Sequence, residues 1–160
     1  MHIQLAEKKD LLQVIKIFKE RVKWFKKKKI KQWDSLYYLV YYNILYLFKI
    51  IKQDKLYVVK NNNMVIGIFL IKKEDTEYWD DDKKAYYIRH FSTKLGNKGL
   101  GEVMFKFIED LAKENNIRYL RLDCVRDSFI SEYWQNHGFK KMGTLDKPYP
   151  CYLYEKEIIK

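Results

Sequence analysis

The chain has 160 residues, 48% of them hydrophobic and 17% aromatic, which excludes a disordered protein and suffices for one domain with a buried core. Its net charge of +11 comes from lysines spread along the chain without any zinc-finger, helix-turn-helix or aromatic RNA-binding pattern, so we expect a solvated basic surface and no nucleic-acid partner. The beginning of the sequence lacks a signal-peptide pattern and no apolar run approaches the about 18 residues of a membrane span, so we expect a cytoplasmic protein with no membrane partner.

The first half of the chain is predicted to hold an edge strand, two helices and a β-hairpin. Apolar residues at three-to-four spacing indicate the helices, and alternation indicates the strands. The predicted ranges are a strand over 2–5, helices over 7–25 and 36–51, and hairpin strands over 56–59 and 64–71. Four lysines at 26–29 end the first helix, and Asp34 is a plausible N-cap for the second. The second helix has too many apolar residues for one stripe, so it is covered on two sides or lines a groove.

The second half is predicted to add a charged loop, further strands and two helices. Residues 72–83, with acids at 80–82, form either a solvated loop or the border of a site that attracts an amine. Strands are expected over 118–125, 140–144 and 152–158, and a short helix capped by Asp127 or Ser128 ends at Gly138. Neither the histidines nor Cys124 and Cys151 show metal-ligand spacing, so no metal is expected. The order of elements predicts a single α/β domain over 1–160.

The stretch 85–114 carries the most specific signal in the sequence. An aromatic-rich strand ends in the loop LGNKGLG, which opens directly into an amphipathic helix. The buried face of that helix is predicted to hold Val103, Phe105, Phe107, Ile108, Leu111 and Ala112. Gly96, Gly99 and Gly101 let the backbone approach a ligand, and the first amides of a helix have no helical partners, so the stretch suits a phosphate or pyrophosphate. The order G-x-x-G-x-G fits neither the dinucleotide fingerprint nor a P-loop.

The loop resembles the acetyl-CoA loop of the GCN5-related N-acetyltransferases (GNAT), [QR]-x-x-G-x-[GA], and YWQNHGFKKMG at 133–143 resembles that family's Y-x-x-x-G-F segment. The resemblance implies a mixed, mostly antiparallel sheet that is splayed between strands four and five and has helices on both faces. It also implies acetyl-CoA as the cofactor. The cofactor-binding residues that it implies are Phe91, Ser92, Thr93, Asn97, Lys98, Gly99, Leu100, Gly101, Glu102, Ser128 and Trp134.

The implied reaction is transfer of an acetyl group to a primary amine of a small molecule or peptide by direct attack. Trp134 stands where many relatives have the tyrosine that protonates the departing thiolate, and an indole N–H is a donor only. Tyr133 is therefore the candidate acid, His90 the candidate base, and Asp123 the candidate group that orients or deprotonates the amine. The alternative is a CoA-binding regulatory or interaction module that has lost turnover. The acceptor is open, and the apolar second helix makes a homodimer possible.

Overall fold

The computed structural model describes residues 1–33 and 35–158, and the predicted N-cap Asp34 lies outside the described residues. A single 3₁₀ turn over Lys8–Asp10 precedes the first helix. The helices are α1 (Leu11–Lys27), α2 (Ser35–Tyr41), α3 (Ile44–Lys52), α4 (Leu100–Glu114) and α5 (Phe129–Asn136). The strands are β1 (His2–Leu5), β2 (Leu56–Asn61), β3 (Met64–Lys72), β4 (Ala85–Thr93), β5 (Tyr119–Val125), β6 (Lys140–Leu145) and β7 (Cys151–Glu157).

The strands form one mixed sheet in the order β1-β2-β3-β4-β5-β7-β6. The pairs β1/β2, β2/β3, β5/β7 and β6/β7 are antiparallel, and β4/β5 is parallel. The parallel ladder runs only from Ala85↔Tyr119 to Tyr87↔Arg121, whereas β5 pairs with β7 over its full length. This short ladder agrees with the expected splay between strands four and five, and the predicted mixed α/β fold is confirmed.

The chain divides into two compact units. The first unit comprises Met1–Ile71 with Arg89–Phe107, and the second comprises Lys72–Ile88 with Ile108–Lys160. None of the helices in the described part of the chain is both long and apolar enough to cross a membrane.

In the first unit, the β2–β3 hairpin is covered by helices on both faces because its side chains alternate. Leu56 pairs with Leu70 and Val58 with Ile68, and all four lie in the core cluster that α1 and α3 complete. The intervening pair of Tyr57 and Phe69 stacks at 5.0 Å between ring centroids and contacts Phe107 of α4 on the other side. The hairpin turns at Asn62, which has a left-handed φ of 54° as the asparagine-rich sequence predicts.

The prediction of one continuous helix over 36–51 is wrong, because Asn43 separates α2 from α3. The Asn43 carboxamide oxygen accepts hydrogen bonds from the amides of Leu45 and Tyr46, at 3.0 and 3.2 Å. Its nitrogen donates to the carbonyl of Val40 at 3.0 Å, so one side chain satisfies the end of α2 and the start of α3. The change of direction explains the excess of apolar residues, since Leu47 and its inward neighbours are buried while others face solvent.

The amino-terminal part of α4 packs closely on β3. Leu100 and Met104, four residues apart, lie on its buried side against Gly67. A Cβ atom at Gly67 would lie 2.9 Å from the Met104 sulfur and 3.2 Å from Leu100 Cδ2, so only glycine allows this approach. The prediction that Val103 belongs to the buried face is wrong, since it is 42% exposed and lies about 100° from Met104 around the helix.

In the second unit, β5, β7 and β6 are neighbouring strands, and α5 contacts β5 and β7. Ser128, one of the two predicted N-caps, is the N-cap of α5, and its hydroxyl accepts a hydrogen bond from the Ser131 amide. Ser131 and Tyr154 join α5 to β7 through a 2.5 Å hydroxyl pair. Gly138 has a φ of 84°, which confirms the predicted left-handed stop after the helix.

Candidate functional site

The glycine loop of the first unit has the backbone that an anion site needs. Gly96 and Gly99 have φ values of 88° and 77°, conformations that side-chain-bearing residues rarely adopt. An added Cβ at either position would meet no atom within 4 Å, so the surface of the loop is open at both glycines. Leu100 begins α4 immediately afterwards, and Gly101 is its second residue. Backbone amides at the start of α4 therefore lie next to an open glycine surface, which suits a phosphate or pyrophosphate.

Side-chain hydrogen bonds fix the conformation of this loop. The Asn97 carboxamide donates to the carbonyl of Lys94 at 3.0 Å, and the Leu95 amide donates to a Glu20 carboxylate at 3.3 Å. The Lys94 amide continues the sheet by donating to the Ile66 carbonyl at 2.7 Å. Asn97 therefore positions the loop through its side chain, while Lys98 is exposed. Both were predicted to contact the cofactor, and those contacts stay predictions.

Arg21 of α1 holds the end of β4. Its guanidinium donates to the Thr93 carbonyl at 2.6 Å and to the Thr93 hydroxyl at 2.7 Å. The guanidinium carbon also lies 5.2 Å from the Trp24 ring centroid. Burial lowers the pKa of Arg21, although the group remains a cation. Of the three β4 residues predicted to pair with the cofactor, Thr93 thus has its carbonyl already engaged.

Ser92 of β4 has a buried hydroxyl that a bound ligand could complete with a hydrogen bond. It is 6% exposed, and its hydroxyl has no hydrogen-bond partner among the described residues. A buried hydroxyl without a partner costs about 1–3 kcal/mol, so such groups are uncommon in folded proteins unless a ligand or water completes them. Phe91 and Thr93 on either side are half-buried. The residues present here fit the cofactor that the sequence resemblance implies.

His90 lies just before this segment in an unusual backbone conformation. Its φ is 54°, which costs about 1–2 kcal/mol for a residue with a Cβ and interrupts the regular pleat of β4. The Tyr38 hydroxyl is hydrogen-bonded to Nδ1, and the Tyr46 hydroxyl lies 2.8 Å from Nε2. Burial raises the pKa of Tyr46, so that hydroxyl stays protonated at neutral pH. The predicted base is therefore the centre of a Tyr–His–Tyr chain, through which its ring nitrogens can exchange protons.

The second unit holds the predicted amine-orienting residue. Asp123 of β5 accepts a hydrogen bond from the Tyr149 hydroxyl, which the loop between β6 and β7 provides. Burial and the Asp123 charge raise the pKa of Tyr149 well above its usual value. The pair combines a carboxylate that can attract an ammonium group with a hydroxyl that can hold or return a proton.

Tyr133 and Trp134 of α5 differ in their surroundings. The Tyr133 hydroxyl oxygen is buried, and its ring lies 4.1 Å from that of His137. Trp134 is 5% exposed and its ring lies 5.3 Å from Phe139, so it packs within the second unit. The roles predicted for both residues, and for Ser128 beyond its capping role, stay predictions.

The loop over 73–84 is anchored at its carboxyl end. Arg121, with no exposed side-chain surface, donates two hydrogen bonds of 2.6 Å to Asp81 and one of 2.7 Å to Glu155. The Trp79 ring lies 4.1 Å from the guanidinium carbon. Burial alone lowers the pKa of Arg121, but its carboxylate partners raise it overall, and the bond from Arg121 lowers the pKa of Asp81. The loop is therefore tied to β5 by Asp81, which argues against the interpretation of a purely solvated loop.

In the described ranges, the two cysteines are buried and no cluster of potential metal ligands is present. Cys124 and Cys151 are free and buried, and burial together with Asp123 raises the pKa of Cys124 to about 12. Residues 1–33 and 35–158 contain no group of three His, Cys, Asp or Glu residues placed to hold a metal ion.

Sequence reasoning missed the residues that act over long separations. Arg21 precedes Thr93 by 72 residues, and no local pattern connects them. Gly67 lies in a strand with no turn signal, although an isolated glycine in a strand often marks a close backbone approach. Tyr149 lies in a proline-containing loop that gave no catalytic signal.

The described fold is that of the GNAT acetyltransferases. A GNAT-family acetyltransferase of Listeria monocytogenes superimposes with a TM-score of 0.79 at 20% identity, over 98% of this chain and 94% of that chain. A PaiA N-acetyltransferase of Thermoplasma acidophilum, in complex with coenzyme A, gives 0.78 at 17% identity over 98% of both chains. YncA of Salmonella typhimurium, with its cofactor acetyl-CoA, gives 0.71 at 13% identity over 100% and 95%. No protein-family model and no curated protein matches the sequence. The likeness to solved structures shows the fold that the sequence resemblance implied.

Proposed function

We propose that the protein is an acetyl-CoA-dependent N-acetyltransferase that acts on a primary amine of a small molecule or peptide. The observation that carries the proposal is the open glycine loop at the start of α4, with Gly96 and Gly99 in left-handed conformations. The fold supports it, because solved structures of this fold include one with CoA and one with acetyl-CoA.

The loop and the end of β4 are the parts that would hold the cofactor. Amides from Gly99 to Glu102 would receive the pyrophosphate, and the backbone at Phe91 and Ser92 would pair with the pantetheine arm. Arg21 would position the strand end through Thr93, which accepts two hydrogen bonds from its guanidinium. When bound, acetyl-CoA supplies an activated thioester carbonyl for attack by a neutral amine.

Proton transfer would rely on residues of this chain. The Tyr38–His90–Tyr46 chain can take up a proton, because protonation turns the acceptor nitrogen of the neutral imidazole into a second N–H donor and the tyrosine hydroxyl on that side can turn to accept from it. Asp123 and Tyr149 form a second group, suited to orient an ammonium ion and to return a proton. These roles follow from local geometry and are separable by mutation.

The test of cofactor binding compares two glycines that share a left-handed conformation. Gly99→Val should weaken CoA binding in calorimetric titration by at least about tenfold, because a branched side chain blocks the backbone approach. Gly138→Val carries a comparable conformational cost at a φ of 84° but lies in the turn after α5. It should lose stability and keep its affinity for CoA. Equal affinity of the folded Gly99→Val protein and the wild type would refute the assignment of the loop.

The alternative is a CoA-binding regulatory or interaction module, favoured by Trp134 at the position where relatives have a tyrosine. The two functions differ in one product. An acetyltransferase releases free thiol from acetyl-CoA in the presence of an amine panel, whereas a binding module shows CoA affinity and no thiol release.

A further inference from the structure

The outer surface of α2 and α3 exposes apolar side chains that the core does not use. Val40, Tyr41, Ile44 and Leu45 are 62%, 71%, 50% and 76% exposed. They surround the turn at Asn43, where the chain changes direction between the two helices. Because the inward residues of α3 already fill the core, these four side chains are available to a partner.

Lysines border these apolar residues on α3. Phe48 follows Ile44 by one turn, and the ammonium groups of Lys8 and Lys52 lie 5.7 and 5.8 Å from its ring centroid. Lys49 is exposed one turn after Leu45. Residues 35–53 contain no aspartate or glutamate, so every charged side chain of α3 is a lysine.

A second group of lysines lies at the end of α1, and aromatic rings connect that end to α2. The exposed lysines at 26–29 and 31 end α1 and follow it. Aromatic rings join this end to α2, since Phe25 lies 5.5 Å from Trp33 and Trp33 stacks on Tyr38 at 4.4 Å. Along the chain, the exposed apolar residues therefore lie between this group and the lysines of α3.

We infer that this face binds peripherally to the surface of an anionic lipid bilayer. The four apolar side chains would enter the headgroup region, where tyrosine is favoured, and the lysines would meet anionic headgroups. A second copy of the chain is a poorer occupant, because two-fold pairing places the same lysines against each other with no acidic residue on α2 or α3 to compensate. The inference departs from the expectation of no membrane partner, which rested on the lack of a long apolar segment.

The test measures sedimentation of the protein with vesicles of phosphatidylcholine containing about 30% phosphatidylserine in about 0.1 M salt. We expect binding to these vesicles, weak binding to pure phosphatidylcholine, and release at high salt. Leu45→Glu should lower the bound fraction at least about fivefold, since a carboxylate replaces the most exposed apolar side chain. Leu12→Glu is the matched control, because Leu12 is 67% exposed on α1, and it should bind as the wild type does.

Two charge-reversal variants complete the experiment. Lys49→Glu should weaken vesicle binding, and Lys113→Glu at the end of α4 should not. No binding to the anionic vesicles would overturn the inference, and so would an equal loss of binding with Leu12→Glu and Leu45→Glu. A dimer in vesicle-free solution that Leu45→Glu dissociates would assign the face to a second copy instead. Preferential binding to duplex DNA that Leu45→Glu leaves unchanged would show that only the charge of this surface matters. That result would also contradict the inference.

Discussion

Replacement of Gly67 by alanine tests whether close packing of α4 on β3 positions the glycine loop. The added Cβ would lie 2.9 Å from the Met104 sulfur, 3.1 Å from Val59 Cγ2 and 3.2 Å from Leu100 Cδ2. Favourable non-bonded separations are about 3.5–4.0 Å, so the neighbours must move by several tenths of an ångström or more. Val59 is stiff and buried, whereas Leu100 and Met104 belong to the first turns of α4. The displacement therefore falls on the helix that begins at the loop.

The cost follows from two opposing effects. Overpacking of this size costs about 1–3 kcal/mol, and alanine in place of glycine within a strand contributes about 0.5–1 kcal/mol in the opposite direction. Gly67→Ala should therefore lower the free energy of unfolding by about 0.5–2 kcal/mol and Tm by about 2–6 °C. Because Leu100 follows Gly99 directly, CoA affinity should fall about tenfold.

Denaturant unfolding and calorimetric titration with CoA measure the two effects separately. Gly143→Ala is the matched control, since its Cβ would meet only Leu153 Cδ1, at the ordinary distance of 3.9 Å. That variant should keep both its stability and its CoA affinity. A folded Gly67→Ala protein with wild-type affinity for CoA would show that the packing of α4 does not position the loop.

Three further substitutions test the groups that surround the candidate sites. Arg21→Lys keeps the charge but loses the planar fork on Thr93, so CoA affinity should fall about fivefold in titration, and wild-type affinity would exclude a positioning role. Asp81→Asn should lower the free energy of unfolding by about 1–2 kcal/mol near neutral pH, a figure reduced for the solvent exposure of Asp81. The folded-state pKa of Asp81 is depressed, so its contribution to stability is full above the unfolded pKa and is lost as pH falls through the folded pKa. The free energies of unfolding of variant and wild type, measured by urea titration, should therefore converge in acid. A difference that stays constant with pH would contradict the ion pair. Tyr149→Phe should reduce kcat at least about tenfold with little change in KM for acetyl-CoA, whereas unchanged kcat with a lower Tm would indicate a structural role.

Much of the fold was predictable because its signals are local. Strand alternation identified the β2–β3 hairpin, the adjacent Asp127 and Ser128 marked the start of α5, and the glycine spacing identified the loop before α4. Each of these depends on residues within a few positions of one another.

The predictions that failed or were not made concern two kinds of side chain. Some have partners that are distant in the sequence, and others can adopt two local conformations of similar energy. Asn43 breaks the predicted second helix because its side chain satisfies two helix ends, yet an asparagine in a helical pattern is not by itself a stop. Val103 was predicted to be buried, but Leu100 and Met104 define the buried side of α4 and Val103 lies outside it. Arg21 and Gly67 act through contacts across the first unit, which no periodicity in the sequence encodes.

The thermal shift with acetyl-CoA, CoA and NAD in parallel tests the proposed cofactor class most directly. A ligand at 100 times its dissociation constant stabilises the folded state by about 2.7 kcal/mol, which is readily measured. The proposal predicts that acetyl-CoA and CoA both raise Tm and that NAD does not. A chain that neither CoA species stabilises would contradict the assignment of the glycine loop as an acetyl-CoA site.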